Sequence, residues 1–155
     1  MTTVTITIDN VLKDIRIKSG IESSRISDPD LRYAVEIGTD KMDEVKQSLQ
    51  EANASLVGRV RQFLSDSADT AASDDLASVT SYVYSFDITS RRSSNIGAPL
   101  ANVIHSYLVN RTMQKYYMTS GQPDQAAVRG AEADRSAAEI ERILNTKLTP
   151  KYGNI

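Results

Sequence analysis

Residues 99–144 read PLANVIHSYLVNRTMQKYYMTSGQPDQAAVRGAEADRSAAEIERIL, and this segment gives the clearest indication of the fold. Pro99 is suited to open a helix, Gly121 to end it and Pro123 to start the next one. The apolar side of the first helix comprises Leu100, Val103, Ile104, Tyr107, Leu108, Met113, Tyr116 and Tyr117. The second helix repeats small and apolar residues at spacings of four and three, namely Ala126, Gly130, Ala133, Ala137, Ile140 and Leu144. The pattern predicts an antiparallel helical hairpin with a tight connection.

The N-terminal segment predicts a shorter helix. Its apolar residues recur at helical spacing: Ile8, Leu12 and Ile15. Asp9 or Asn10 is suited to cap the start, and Gly20 is suited to end it. The alternation TVTITI at residues 3–8 leaves open a strand at this position instead of the start of the helix.

A second helix start is indicated at Pro29. Asp28 is suited to cap this helix, and the negative charge of Asp30 is favoured at the positive end of the helix dipole. From there a stripe steps by alternating fours and threes along Leu31, Val35, Gly38, Met42, Val45, Leu49, Ala52 and Leu56. The stripe predicts one long amphipathic helix that continues to Phe63 or Leu64. Gly38 marks either a bend or a close helix contact.

Small and acidic residues dominate positions 65–81, which are therefore predicted to form a mobile loop. After it, Tyr82, Tyr84, Phe86 and Ile88 alternate with polar or smaller residues, as in a strand. A single strand needs a partner, which is the TVTITI stretch, a neighbour across the loop or another copy of the chain. The predicted fold class is mainly α, a helical bundle with a long amphipathic helix, a C-terminal antiparallel hairpin and one short β segment. It forms one domain over residues 1–146, followed by an extended tail over residues 147–155.

Composition excludes several classes of chemistry. The 155 residues include no cysteine and one histidine, so disulfides, thiolate nucleophiles and cysteine-ligated metals are excluded. No export signal is recognised at the start, which makes the reducing cytoplasm the expected compartment. Residues 1–81 carry a formal charge of −5 and residues 82–155 of +3. This asymmetry fits either head-to-tail self-association or an ordinary solvated surface, and it lacks the basic field of a DNA-binding protein.

Few residues suggest catalysis or metal binding. Phosphate loops, zinc-hydrolase motifs and EF-hand loops are absent from the sequence. His105 lies in an apolar helix without a recognisable nucleophile, so a buried, hydrogen-bonded structural role is favoured over general-base catalysis. The acidic residues of the loop form either a loose divalent-cation site or a set of solvated surface charges. They are Asp66, Asp69, Asp74 and Asp75. No cofactor is expected.

Two further sets of residues suggest binding. Tyr107, Tyr116 and Tyr117 next to Arg111 and Lys115 are compatible with a base-stacking platform, but their helical spacing favours core contacts. The adjacent pair Arg91 and Arg92, between the strand and the hairpin, is suited to bind carboxylates. Salt bridging, within the fold or at an interface, is favoured over phosphate binding because no wider basic patch accompanies the pair.

The region from Tyr82 to Leu144 resembles a known family. It contains FDITSRRSSN at residues 86–95, PLANVIHSYLVNRTMQKYYMTSG at residues 99–121 and a closing helix that ends in IERIL. An aromatic strand-like segment with an Arg-Arg pair, followed by a helix that carries Ile104, Tyr107, Leu108, Val109 and Asn110, is similar to the head–tail connector proteins of tailed bacteriophages and prophages, especially those of Bacteroides-type hosts. These proteins are also described as head-completion proteins or portal adaptors.

The resemblance implies a non-enzymatic virion structural protein that assembles as a ring under the capsid portal and links the head to the tail. Implied partners are other copies of the chain, the portal protein and a tail-side completion protein, with no sequence-specific nucleic acid and no membrane. The implied location is the host cytoplasm during assembly and then the head–tail junction. The expected contact residues are Tyr82, Tyr84, Phe86, Arg91, Arg92, Lys147, Lys151 and Tyr152.

Two other function classes compete with this one. A cytoplasmic helical adaptor or regulator would bind one protein partner through the long helix. An enzyme would have to use scattered carboxylates, because the sequence offers no recognisable catalytic set.

Overall fold

The computed structural model describes residues 2–65, 80–87 and 96–145. In chain order the elements are β1 (Thr2–Thr7), α1 (Ile8–Ser24), α2 (Pro29–Val35), α3 (Met42–Val60), β2 (Ser81–Phe86), α4 (Gly97–Thr119) and α5 (Pro123–Asn145). Two short 3-10 turns, Thr39–Lys41 and Arg61–Phe63, flank α3. The mainly α class is confirmed, and α4 is the central helix because it packs against α5, α3, α1 and β1.

The predicted hairpin is confirmed in α4 and α5. Gly121 adopts a left-handed φ of +78° after α4, and the N–H of Gln122 donates to the carbonyl of Tyr117 at 2.8 Å. Pro123 occupies the first position of α5, as predicted. Helix α4 begins at Gly97, two residues earlier than predicted, since a proline in the first turn removes an N–H that has no intrahelical partner. The complete predicted stripe of α5 is buried.

Helix α1 differs from its prediction at both ends. Thr7 occupies the N-cap position, without a side-chain hydrogen bond, where Asp9 or Asn10 was expected. The helix continues through Gly20 to Ser24 because its buried face is extended by two serines. The hydroxyls of Ser19 and Ser23 donate to the carbonyls of Arg16 and Gly20, at 3.1 and 3.0 Å. The buried face of α1 thus continues through polar residues, so a prediction based on apolar spacing alone ends the helix too early.

The prediction of one continuous helix from Pro29 is wrong. Its start is confirmed, since the Asp28 carboxylate accepts from the backbone N–H of Asp30 at 3.0 Å. Helix α2 nevertheless ends at Val35, Gly38 has extended backbone, and α3 begins only at Met42.

Burial of two residues that cannot share a helical face explains this break. Val35 and Ile37 are both buried, and residues two apart lie on nearly opposite sides of a helix. The extended segment brings both into the core. There the Tyr117 hydroxyl donates to the Val35 carbonyl at 2.8 Å, and the Ile37 N–H donates to Ser19 Oγ at 3.0 Å. Lys41 Nζ donates to the Glu36 carbonyl at 2.6 Å, so these three backbone groups at the break are satisfied.

The N-terminal alternation forms strand β1, which is the partner of β2. The two strands pair antiparallel, with Thr2 opposite Phe86 and Thr7 opposite Ser81. Of the three partners considered for the predicted strand, the TVTITI stretch is therefore the one observed. Ile88, the predicted end of that strand, lies outside the described residues.

Strand β2 is flanked on both sides. On the side away from β1, the N–H of Ser65 donates to the Ser85 carbonyl at 2.8 Å, and the N–H of Asp87 donates to the Phe63 carbonyl at 2.9 Å. The ends of the predicted 65–81 loop thus belong to the sheet, since Thr80 also accepts from Ile8 at 3.0 Å. Residues 66–79 of that loop, and the predicted tail 147–155, lie outside the described residues.

Candidate functional site

The three aromatic side chains predicted to make partner contacts lie in the core. Tyr82, Tyr84 and Phe86 are 3%, 0% and 0% exposed. The Tyr84 hydroxyl donates to Asn53 Oδ1, and its ring stacks on Phe86 with centroids 6.4 Å apart. The prediction that these three side chains lie at a partner interface is therefore corrected. They are buried because the aromatic face of β2 packs on the helices.

The opposite face of the sheet is exposed and carries Val83 among polar residues. Thr3 and Thr5 of β1 and Val83 of β2 have their side chains on this face. The surface that the strand offers is therefore formed by the residues between the aromatic ones.

The outer edge of β1 offers a second surface. The Ile8 N–H donates to Thr80, and the Ser85 carbonyl and Asp87 N–H point away from β1. Because hydrogen-bonded pairs alternate along antiparallel strands, the even-numbered residues of β1 bond to β2. The backbone groups of Thr3 and Thr5 consequently point outward, and no backbone partner for them is found within residues 2–65, 80–87 and 96–145.

The other predicted contact residues lie outside the described parts of the chain: Arg91, Arg92, Lys147, Lys151 and Tyr152. The same is true of the loose cation site, Asp66, Asp69, Asp74 and Asp75. In the described parts, no group of three or more acidic or histidine side chains is arranged to hold a metal ion.

His105 links two helices. Its Nε2 lies 3.0 Å from Asp14 Oδ2 on α1, and Asp14 Oδ2 also lies 3.8 Å from Lys18 Nζ. The predicted hydrogen-bonded role is confirmed, but full burial is not, since the histidine side chain is 30% exposed. The pair ties α4 to α1.

The tyrosines of α4 are core residues, as their spacing favoured. Tyr107, Tyr116 and Tyr117 are all buried, and the last two rings meet edge to face with centroids 5.8 Å apart. Buried rings have no free face for a nucleic-acid base, so the stacking platform is excluded for these three residues.

Sequence reasoning missed a polar cluster between α1, α4 and α5. Arg129 binds the carboxylate of Glu22, and its Nη1 donates to Asn110 Oδ1 at 3.1 Å. The side chains of Arg129 and Glu22 are 13% and 26% exposed, and burial lowers the pKa of Arg129. Asn110 was the available signal, because an amide inside the apolar run of α4 requires a polar partner.

The charge asymmetry of the sequence is concentrated outside the described residues. Residues 66–79 carry a formal charge of −4, whereas residues 88–95 and 146–155 carry +2 each. Within the described parts of the chain, acidic and basic residues are nearly balanced.

No helix in the described ranges combines the length and the apolar character needed to cross a membrane. Comparisons of the chain with protein families, curated proteins and solved structures gave no match.

Proposed function

We propose that this chain is a non-enzymatic structural subunit of a tailed phage or prophage. It assembles as a ring under the capsid portal and links the head to the tail. Its partners are further copies of the chain, the portal protein and a tail-side completion protein. The resemblance over residues 82–144 motivates the choice of virion part, and the outer edge of β1 is the structural observation that supports a function through assembly.

An open strand edge gains hydrogen bonds when another extended segment is added to it. Thr3 and Thr5 present outward N–H and C=O groups, and their side chains lie on the exposed face of the sheet. The edge is held in place because β2 is paired on both sides and its aromatic face is anchored in the core. Such an edge is a rigid, preformed element for contact with a neighbouring protein.

Replacement of one edge residue tests this use. Thr5→Pro removes an outward N–H but leaves the β1–β2 hydrogen bonds intact, and proline is tolerated at strand edges. Thr5→Val retains the N–H and is the matched control. In sedimentation and in portal-binding assays, Thr5→Pro should weaken assembly at least tenfold at an unchanged melting temperature, while Thr5→Val should behave as the original chain. Equal assembly by all three proteins would remove the edge from the proposed interface.

The function itself is tested with the portal protein encoded in the same genome. Purified full-length chain should bind this portal protein, form rings at high concentration, or do both. A chain truncated after Thr146 and the variant Arg91→Glu/Arg92→Glu test the contact residues predicted from sequence. If the full-length chain binds neither the portal protein nor itself at any accessible concentration, the connector proposal is wrong.

The adaptor alternative loses the surface on which it depended. The predicted long helix is divided into α2 and α3, and the apolar stripe of α3 is buried at Val45, Leu49 and Leu56. An adaptor would therefore need another surface. Terminase, portal and capsid genes beside the coding sequence would favour the connector, and their absence would favour the adaptor.

A further inference from the structure

A groove lies between α3 and α4, with Ser55 and Arg59 contributed by α3. Its volume is about 350 Å³, and its lining includes Arg59, Tyr107, Arg111, Gln114, Lys115 and Met118. Three of these side chains are cationic, and none of the described residues that line the groove is acidic. Among the lining side chains, that of Met118 is exposed to solvent.

The guanidinium of Arg111 is fixed before any ligand binds. Its Nη1 donates to Gln114 Oε1 at 2.6 Å, and its Nη2 lies 2.6 Å from Asp134 Oδ1. The guanidinium carbon also lies 5.3 Å from the centre of the Tyr107 ring. Because the side chain is only 15% exposed and held from three sides, little conformational entropy remains to be lost on binding.

The other two cations differ in their partners. Arg59 Nε lies 2.7 Å from Glu141 Oε1 on α5. Lys115 forms no ion pair with any residue in the described ranges. The carboxylates of Glu141 and Asp134 thus balance two of the three cations. One positive charge, that of Lys115, is left for a ligand.

This arrangement favours carboxylate side chains of a protein over nucleic acid. A phosphate backbone is held by many unpaired cations and by exposed aromatic faces, whereas two of these cations are already paired and Tyr107 is 1% exposed. Met118 adds an apolar contact of the kind that a peptide side chain can use.

We infer that this groove receives acidic side chains from residues 66–75 of a second copy of the chain. That stretch contains Asp66, Asp69, Asp74 and Asp75 and neither lysine nor arginine, so it complements the unopposed charge at Lys115. The contact joins two different surfaces and is therefore heterologous, as a closed ring requires. The inference rests on the proposed self-assembly for its biological meaning, but not for its test.

Three variants test the contact by sedimentation velocity. Lys115→Glu reverses the charge of the groove, Asp66→Asn/Asp69→Asn/Asp74→Asn/Asp75→Asn neutralises the acidic stretch, and Lys13→Glu is a control with the same charge change on α1. The first two should weaken self-association at least tenfold, and the control should change it less than twofold. Self-association of Lys115→Glu at the original strength would overturn the inference.

Mixing the two defective variants distinguishes a contact between copies from one within a chain. The Lys115→Glu protein retains the acidic stretch, and the four-Asn protein retains the groove. A mixture should therefore form one-to-one complexes that neither protein forms alone. Failure of the mixture to associate, when the unaltered chain does, would overturn a contact between copies.

A peptide assay gives a result even if the unaltered chain remains monomeric. A synthetic peptide of residues 65–76 is titrated into the four-Asn protein, whose own stretch does not compete, and amide shifts are followed by NMR. Shifts at Arg111, Gln114 and Lys115 that disappear in a Lys115→Glu background support the groove, even where the connector proposal has failed. An unperturbed groove overturns the inference, as does a groove that binds single-stranded oligothymidylate but not the peptide.

Discussion

The two tyrosines of β2 differ in whether the hydroxyl has a hydrogen-bond partner, and this difference determines how each contributes to stability. Both rings are buried, but the Tyr84 hydroxyl donates to Asn53 Oδ1, whereas the Tyr82 hydroxyl is buried without a partner within the described residues. Tyr84→Phe should cost about 1–3 kcal/mol because it leaves the Asn53 oxygen unsatisfied in the core. Tyr82→Phe should be neutral or stabilising, since it removes a desolvated hydroxyl. Urea unfolding at constant slope measures both, and an equal loss in the two variants would contradict this assignment.

The ion pair between Arg129 and Glu22 is expected to contribute to stability. Arg129→Met leaves Glu22 without its cation, and Glu22→Leu leaves Arg129 without its carboxylate. Because both side chains keep some exposure, each change should cost about 1–3 kcal/mol, less than the loss expected for a fully buried pair. The double replacement should cost clearly less than the sum. Strict additivity in a double-mutant cycle would show that the pair contributes no coupling.

The α4–α5 hairpin should dominate stability. Leu144 is fully buried, so Leu144→Ala should cost about 2–5 kcal/mol through lost transfer energy and a cavity. Ala137 is also buried, and Ala137→Leu should cost about 1–3 kcal/mol by overpacking. Val128, on the exposed side of α5, is the control, and Val128→Ala should change stability by no more than about 0.5 kcal/mol. A thermal melt unaffected by Leu144→Ala would contradict the packing of the two helices.

The same elements show how far the sequence determines the fold. In α5 the buried residues other than Ile143 recur at alternating spacings of four and three after Pro123, so local pattern and tertiary packing agree. Between Val35 and Met42 they disagree. There, burial of Ile37 requires extended backbone, and the partners that stabilise it, Tyr117 and Ser19, are distant in sequence. The spacing of apolar residues along a helix carries no information about such long-range hydrogen bonds.

The candidate surfaces were less predictable than the fold. Alternation in β2 gives two faces but does not say which one meets the helices, and the aromatic face proved to be the buried one. The open edge of β1 depends on which strand pairs with which, and this was left open by the sequence. The groove depends on ion pairs from α5 to Arg59 and Arg111, across 82 and 23 positions of the chain.

The buried tyrosines predict that the chain unfolds cooperatively in alkali. Burial raises the pKa of Tyr82, Tyr84 and Tyr117 above the ordinary value of about 10. Above that pH the unfolded chain loses tyrosyl protons that the folded chain retains, so the free energy of unfolding falls as pH rises. Below pH 10 this contribution is fully present.

The measurement follows the melting temperature and tyrosinate absorbance together from neutral to strongly alkaline pH. Ionisation of the buried rings should coincide with loss of the circular dichroism signal, because these protons are released only when the core opens. Tyr82→Phe should make the decline shallower, since it removes one of the titrating groups without removing a hydrogen bond between described residues. If all seven tyrosines of the chain ionised near pH 10 while the helical signal stayed intact, the rings would be accessible to water and the core would be assigned wrongly.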